Sequence, residues 1–117
     1  MAQTPEGKVK LMGAKIIKEY DPYYFCPVTG GFGSSGQFDV VVLYKGWFIG
    51  VEYKSTCQKA PTLLQSKNAT KAISSRAIVM LLHKDNVEEL RYLLEDIRNE
   101  RKITPRGRSI WPFDSVV

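Results

Sequence analysis

Two β-type runs, Phe38 to Tyr44 and Trp47 to Lys54, are separated only by Lys45-Gly46, and this arrangement constrains the chain more than any other feature. Both runs are rich in Val, Ile, Phe, Tyr and Trp, residues that suit a pleated and packed surface. If Lys45 and Gly46 are the only loop residues, Tyr44 faces Trp47, Leu43 faces Phe48, Val41 faces Gly50 and Asp39 faces Glu52. Side chains alternate along a strand, so Glu52 and Lys54 share a face with Asp39. A three-residue loop with a bulge would shift the register by one and send the two carboxylates to opposite faces. Both faces of the hairpin are otherwise mostly apolar, which expects a central position in a covered sheet.

The flanking segments supply the rest of a layered domain. Thr4-Pro5-Glu6 reads as a helix start: Thr4 caps, Pro5 suits the first helical position, and Glu6 complements the positive end of the dipole. Val9, Met12, Ile16 and Ile17 continue at helical spacing to about Tyr20, where Asp21-Pro22 ends the pattern. Tyr23 to Val28 is a short aromatic strand candidate, and residues 29–36 form a loop with four glycines. After a polar connection from Ser55 to Pro61, a helix is expected from about Thr62 to Ile73. A buried strand follows at Arg76 to Leu82. Asp85 to Glu88 reads as a capping box opening a helix to about Arg98, with Val87, Leu90, Leu94 and Ile97 as its core-facing stripe. The helical crossover before the Arg76 strand implies an α/β domain, a mixed sheet with helices on its faces.

The 117 residues fit one domain, with a core over about 4–98 and a basic tail over about 99–117. A net charge of +5 favours a polyanionic partner, nucleic acid above all. No run approaches the roughly 20 apolar residues of a membrane span, and the first ten residues lack the apolar core of a signal peptide. The chain is accordingly expected in a cytoplasm, with Cys26 and Cys57 as free thiols and no membrane partner. One His and two distant Cys match no zinc pattern, and His83 reads as structural or exposed. The loop glycines lack the Lys-Ser/Thr of a phosphate-binding loop, and no small-molecule cofactor is expected.

Two opposed carboxylates in an apolar hairpin repel each other unless a positive group sits between them. A divalent cation is one candidate and the ammonium of Lys54 is another. Together they would form a hydrolytic centre, in which the metal polarises a phosphate and the lysine handles water or developing charge. An ordinary strand-end ion pair is the plainer alternative. Lys59, Lys67, Lys71 and Arg76 lie near the second helix, and Arg106 and Arg108 lie in the tail; these are candidate phosphate contacts or a solvated surface. Tyr23, Tyr24, Phe25, Trp47 and Phe48 read as core or interface residues rather than base-stacking groups.

Phe38-Asp39, a β run, then Glu52-Tyr53-Lys54 resembles the signature of the PD-(D/E)xK nuclease superfamily. The longer string Gly33-Ser34-Ser35-Gly36-Gln37-Phe38-Asp39, Gly46-Trp47-Phe48, Val51-Glu52-Tyr53-Lys54 and Pro61-Thr62-Leu63-Leu64-Gln65 resembles its VRR-Nuc branch, especially the small stand-alone phage and bacterial members. Thr4-Pro5-Glu6 also matches, and the usual proline before the aspartate is Phe38. The resemblance implies a restriction-endonuclease-like αβββαβ core followed by a C-terminal helix. It implies Asp39, Glu52 and the Tyr53 carbonyl as ligands of Mg²⁺ or Mn²⁺, with Glu6 reaching the metal through water. Lys54 would act on the attacking water and Gln65 would position it. The implied activity is structure-specific cleavage of DNA to leave a 5′-phosphate, with a homodimer resolving Holliday junctions. Flaps, ends or single strands are alternative substrates, and a non-catalytic basic DNA-binding module is the alternative of a different class.

Overall fold

The computed structural model describes residues 4–28 and 36–103. Helix α1 (Pro5–Tyr20) begins as expected: the Thr4 hydroxyl accepts the Gly7 amide at 2.9 Å, and Pro5 opens the first turn. It ends at Asp21, whose φ of 51° places it in the left-handed region and whose amide donates to the Ile17 carbonyl. The remaining elements are β1 (Tyr23–Phe25), β2 (Val40–Tyr44), β3 (Trp47–Tyr53), α2 (Leu63–Ser74), β4 (Ile78–Leu82) and α3 (Glu89–Arg98).

The four strands form one mixed sheet in the order β1-β2-β3-β4. β1, β2 and β3 run antiparallel in turn, while β3 and β4 run parallel through the α2 crossover. Lys45 and Gly46 both have positive φ, 48° and 89°, as a two-residue type I′ turn requires. The register is therefore the expected one: Tyr44 opposes Trp47, Leu43 opposes Phe48, and Val41 opposes Gly50.

Strand alternation divides the sheet into two faces. One face carries Val40, Val42, Ile49, Val51, Tyr53, Ile78, Met80 and Leu82 against Val9, Ile16 and Ile17 of α1 and Leu90, Leu93, Leu94 and Ile97 of α3. The other carries Val41, Val79 and Leu81, packed with Phe38 and with Ala69, Ala72 and Ile73 of α2. Tyr20 ties the two helices of the first layer together. Its hydroxyl donates to Glu95, its ring meets Tyr44 edge-on, and the Arg98 guanidinium lies over it. Arg91 of α3 pairs with Glu19 of α1.

Several boundaries differ from those read in the sequence. β1 stops at Phe25, and β2 starts at Val40, which leaves Phe38 and Asp39 outside the ladder. The expected capping box at Asp85–Glu88 does not form. Residues 84–88 are turns, and the N-cap of α3 is Glu88 with no side-chain cap. Asn86 organises this connection instead, because its side chain accepts the His83 amide and donates to the Leu81 carbonyl. A true capping box opens α2, where Thr62 and Gln65 exchange side-chain and backbone bonds. The start of the expected tail is anchored: Arg101 pairs with the buried Asp96, and Ile103 packs on the first core. Among the described residues, no helix is long and apolar enough to cross a membrane.

At Gly13, α1 lies close against β3. A Cβ there would fall on the buried Tyr53 side chain, 2.6 Å from Cζ. Gly13→Ala should destabilise the protein by about 1–3 kcal/mol in urea denaturation. Adding Tyr53→Phe should recover only part of that loss, because the ring carbons still obstruct. An unchanged midpoint for Gly13→Ala would show that α1 is not seated on β3 this closely.

Candidate active site

Asp39 and Glu52 sit where the hairpin ladder gives way to loop. The last regular pair is Val40 with Val51, beyond which the Asp39 amide donates to the Val51 carbonyl at 2.9 Å. The Asp39 side chain then folds back across the strands, and its Oδ2 accepts the Tyr53 amide at 2.7 Å. In an unbroken ladder that amide would seek a backbone carbonyl. A side chain satisfies it here, which fixes the Asp39 carboxylate against the end of β3. What Tyr53 brings to Asp39 is thus its amide, while its ring is buried in the first core.

Glu52 lies on the α2 face of β3, between β2 and β4, where it opposes Leu81. It is 3% exposed, one of two buried polar or charged residues among those described. Burial comes first among the causes that push its carboxyl up to about 9, followed by a hydrogen bond to Asp39 and repulsion from Asp39 and Glu6. Lys54 opposes the shift without cancelling it. Glu52 therefore keeps its proton at neutral pH and can donate it in the hydrogen bond to Asp39.

Lys54 follows directly after β3 and is anchored at both ends. Its amide donates to the Leu82 carbonyl of β4 at 2.8 Å, and its Nζ donates to Gln65 Oε1 at 3.0 Å. Gln65 is held in turn by the capping box, with its Oε1 accepting the Thr62 amide at 2.9 Å and its own amide donating to the Thr62 hydroxyl. The first turn of α2 thus holds the lysine ammonium at Gln65.

Glu6 is connected to this centre through a residue not singled out in the sequence. Lys10, one turn along α1, lies 3.4 Å from Glu6 and 3.6 Å from Asp39 Oδ1. Desolvation lowers the Lys10 pKa, but attraction to Asp39 and Glu6 outweighs it and holds the ammonium above its ordinary value. The four-residue spacing from an acidic first-turn residue was the available signal for Lys10. Of the expected site residues, Asp39 and Glu52 are joined by a hydrogen bond and Lys54 and Gln65 by another, Lys54 acts on Glu52 through its charge, and Glu6 joins through Lys10.

The candidate phosphate contacts Lys59, Lys67, Lys71 and Arg76 are all exposed. Lys67 and Lys71 lie on α2, and Arg76 stands just past it with a φ of 70°. Arg106 and Arg108 lie outside the described residues, as does the glycine loop apart from Gly36. Cys26 and Cys57 are free and exposed. His83 is half-buried and accepts the Asp85 amide at its Nδ1, a structural role. Of the core-or-interface reading of Tyr23, Tyr24, Phe25, Trp47 and Phe48, the core half is corrected: all five are exposed. Tyr23, Phe25 and Phe48 lie on the α2 face, which α2 covers only in part, and Tyr24 and Trp47 lie on the opposite face.

Among the described residues, no three His, Cys, Asp or Glu side chains form a metal cage. The pair nevertheless suits a hard divalent ion, since Mg²⁺ keeps several waters and needs only one or two carboxylates beside substrate oxygens. A buried Glu52 carboxyl set against Asp39 and only partly offset by Lys54 is itself the electrostatic setting that such an ion relieves. Comparisons with protein-family models, curated proteins and solved structures find no match to this chain.

Because the Glu52 value lies above its unfolded value, the folded state holds the extra proton between about pH 4.5 and 9. Stability should therefore fall as pH rises through that window, by at most about 1.4 kcal/mol per pH unit. In EDTA, Glu52→Gln should match the wild type near pH 4 and exceed it increasingly toward pH 9 in chemical denaturation. Parallel curves for the two proteins would show that Glu52 carries no displaced proton.

Proposed function

We propose that the chain is a metal-dependent nuclease of the VRR-Nuc type, cleaving DNA phosphodiester bonds at Asp39, Glu52 and Lys54. The observation that carries this reading is the buried Glu52 carboxyl hydrogen-bonded to the half-buried Asp39, with Lys54 held nearby by Gln65. A purely structural ion pair would place opposite charges together; this site confines two acids and leaves Glu52 without full compensation. A phosphate-binding module without catalysis gains nothing from carboxylates confined this way.

Asp39 and Glu52 would hold Mg²⁺ or Mn²⁺. When bound, such an ion polarises a phosphoryl oxygen and lowers the pKa of coordinated water. The chain's own residues account for the remainder. Asp39 is aligned by the Tyr53 amide. Lys54, steadied by Gln65, would stabilise charge developing on the phosphate or orient the attacking water. Lys10 shields Asp39 from Glu6 and provides a second cation at the rim for an incoming phosphate. Exposed Lys67 and Lys71 extend positive charge along α2 beside this centre.

The preferred substrate in this proposal is branched DNA. A two-fold pair of chains would present two sites for the two symmetric cuts of a four-way junction. Labelled junction, flap, duplex and single-stranded substrates at one salt concentration, with oligomeric state measured beside them, separate these possibilities. Cleavage should require Mg²⁺ or Mn²⁺ and stop in EDTA. Lys54→Ala and Glu52→Gln should each lower the rate about 10²-fold or more. Gln65→Ala should lower it less, while also losing about 1 kcal/mol of stability with its cap. Cleavage in EDTA, or full activity in Lys54→Ala, would overturn the mechanism.

A further inference from the structure

A second site lies one helical turn from Gln65. Asn68 follows Gln65 by three residues on α2, so the two share a helix face about 4.5 Å apart along the axis. The side-chain amide nitrogen of Asn68 is buried and has no hydrogen-bond partner. Such a donor, removed from water and unpaired, carries a free-energy cost that a ligand acceptor would remove.

Asn68 lines a cavity of about 310 Å³, near the lower end of the range for small-molecule sites. Phe38 and Val41 also line it, from the packed face of the sheet. Phe25 and Phe48 contribute two aromatic side chains, both on the α2 face and both about two-fifths exposed, at 44% and 38%. Lys71, one further turn along α2, adds an exposed ammonium to a lining that also includes Gln37 and Ser75. Flat aromatic surface, one unpaired amide donor and one cation match a planar heterocycle carrying an acceptor and linked to an anion.

We infer that this cavity receives a single unstacked nucleobase of the substrate strand, next to the scissile phosphate. Its ring rests against Phe25 or Phe48, an acceptor on its edge takes the Asn68 amide proton, and its backbone phosphate meets Lys71. Because the cavity is lined by Asn68, one turn from Gln65, and by Phe38, which precedes Asp39, the inference rests on the nuclease reading and narrows its substrate class to strands with an unpaired base beside the cut. A base inside continuous duplex would first have to leave the stack, at a cost of its own. The same aromatic and basic pairing serves single-strand binding generally.

The test uses the full chain in EDTA, where binding proceeds without cleavage. Affinity is measured by fluorescence anisotropy for a labelled single-stranded DNA dodecamer and for the same backbone carrying abasic residues. The wild type should bind the base-bearing strand about 5-fold or more tightly. Phe48→Ala and Asn68→Ala should each erase most of that preference, leave abasic binding unchanged and leave the salt slope intact. Lys71→Ala should instead lower affinity for both strands and reduce the slope. Equal wild-type affinity for the two strands, no binding of the base-bearing strand, or full preference in both Phe48→Ala and Asn68→Ala would overturn the inference. Cleavage of the same strand in Mn²⁺ is scored separately. Cleavage without base preference removes the cavity's role and keeps the nuclease; base preference without cleavage in any metal does the reverse.

Discussion

The site depends on the parity of one two-residue turn. Lys45 and Gly46 both adopt positive φ, and this lets β2 and β3 close with no residue to spare. Glycine takes that conformation without penalty, whereas lysine does so at a small steric cost. The expense is repaid across the whole hairpin, because a register one residue out would exchange its buried and exposed faces. Val42, Ile49 and Val51 would leave the first core, and Glu52 would leave the α2 face. Core packing and the carboxyl pair are therefore enforced by the same alignment.

The parallel β3–β4 pair imposes the second constraint. Returning the chain to the far edge of β3 requires a crossover, and that crossover is α2. Its first turn lies beside the end of β3, so the capping residue that starts the helix also meets the lysine that ends the strand. Neither contact was designed separately by the topology; both follow from where a βαβ connection must begin. Exposure of Phe25, Leu43 and Phe48 has the same origin, since a 12-residue helix cannot cover all four strands.

The hairpin register and the helical crossover were legible in the sequence, because each follows from alternation and spacing. What escaped it depended on contacts across the sequence. Nothing local distinguishes Asp39 as the last strand residue from Asp39 as a side chain capping the Tyr53 amide. Lys10 resembled any solvated helical lysine until α1 was set beside the hairpin. The Asp85–Glu88 pattern had the right letters for a capping box, yet Asn86 held the preceding strand end more firmly through two bonds. Composition marks the aromatic residues for core or interface alike, and only the extent to which helices cover each face decides their exposure.

The amide oxygen of Gln65 has two lone pairs, and both are engaged: one by the Thr62 amide and one by the Lys54 ammonium. Any third donor, whether a water or a substrate hydroxyl, can enter only by displacing one of them. Displacing Thr62 loosens the helix start, and displacing Lys54 releases the lysine toward the carboxyls. The valence of a single oxygen atom thus couples local helix order to the freedom of the lysine.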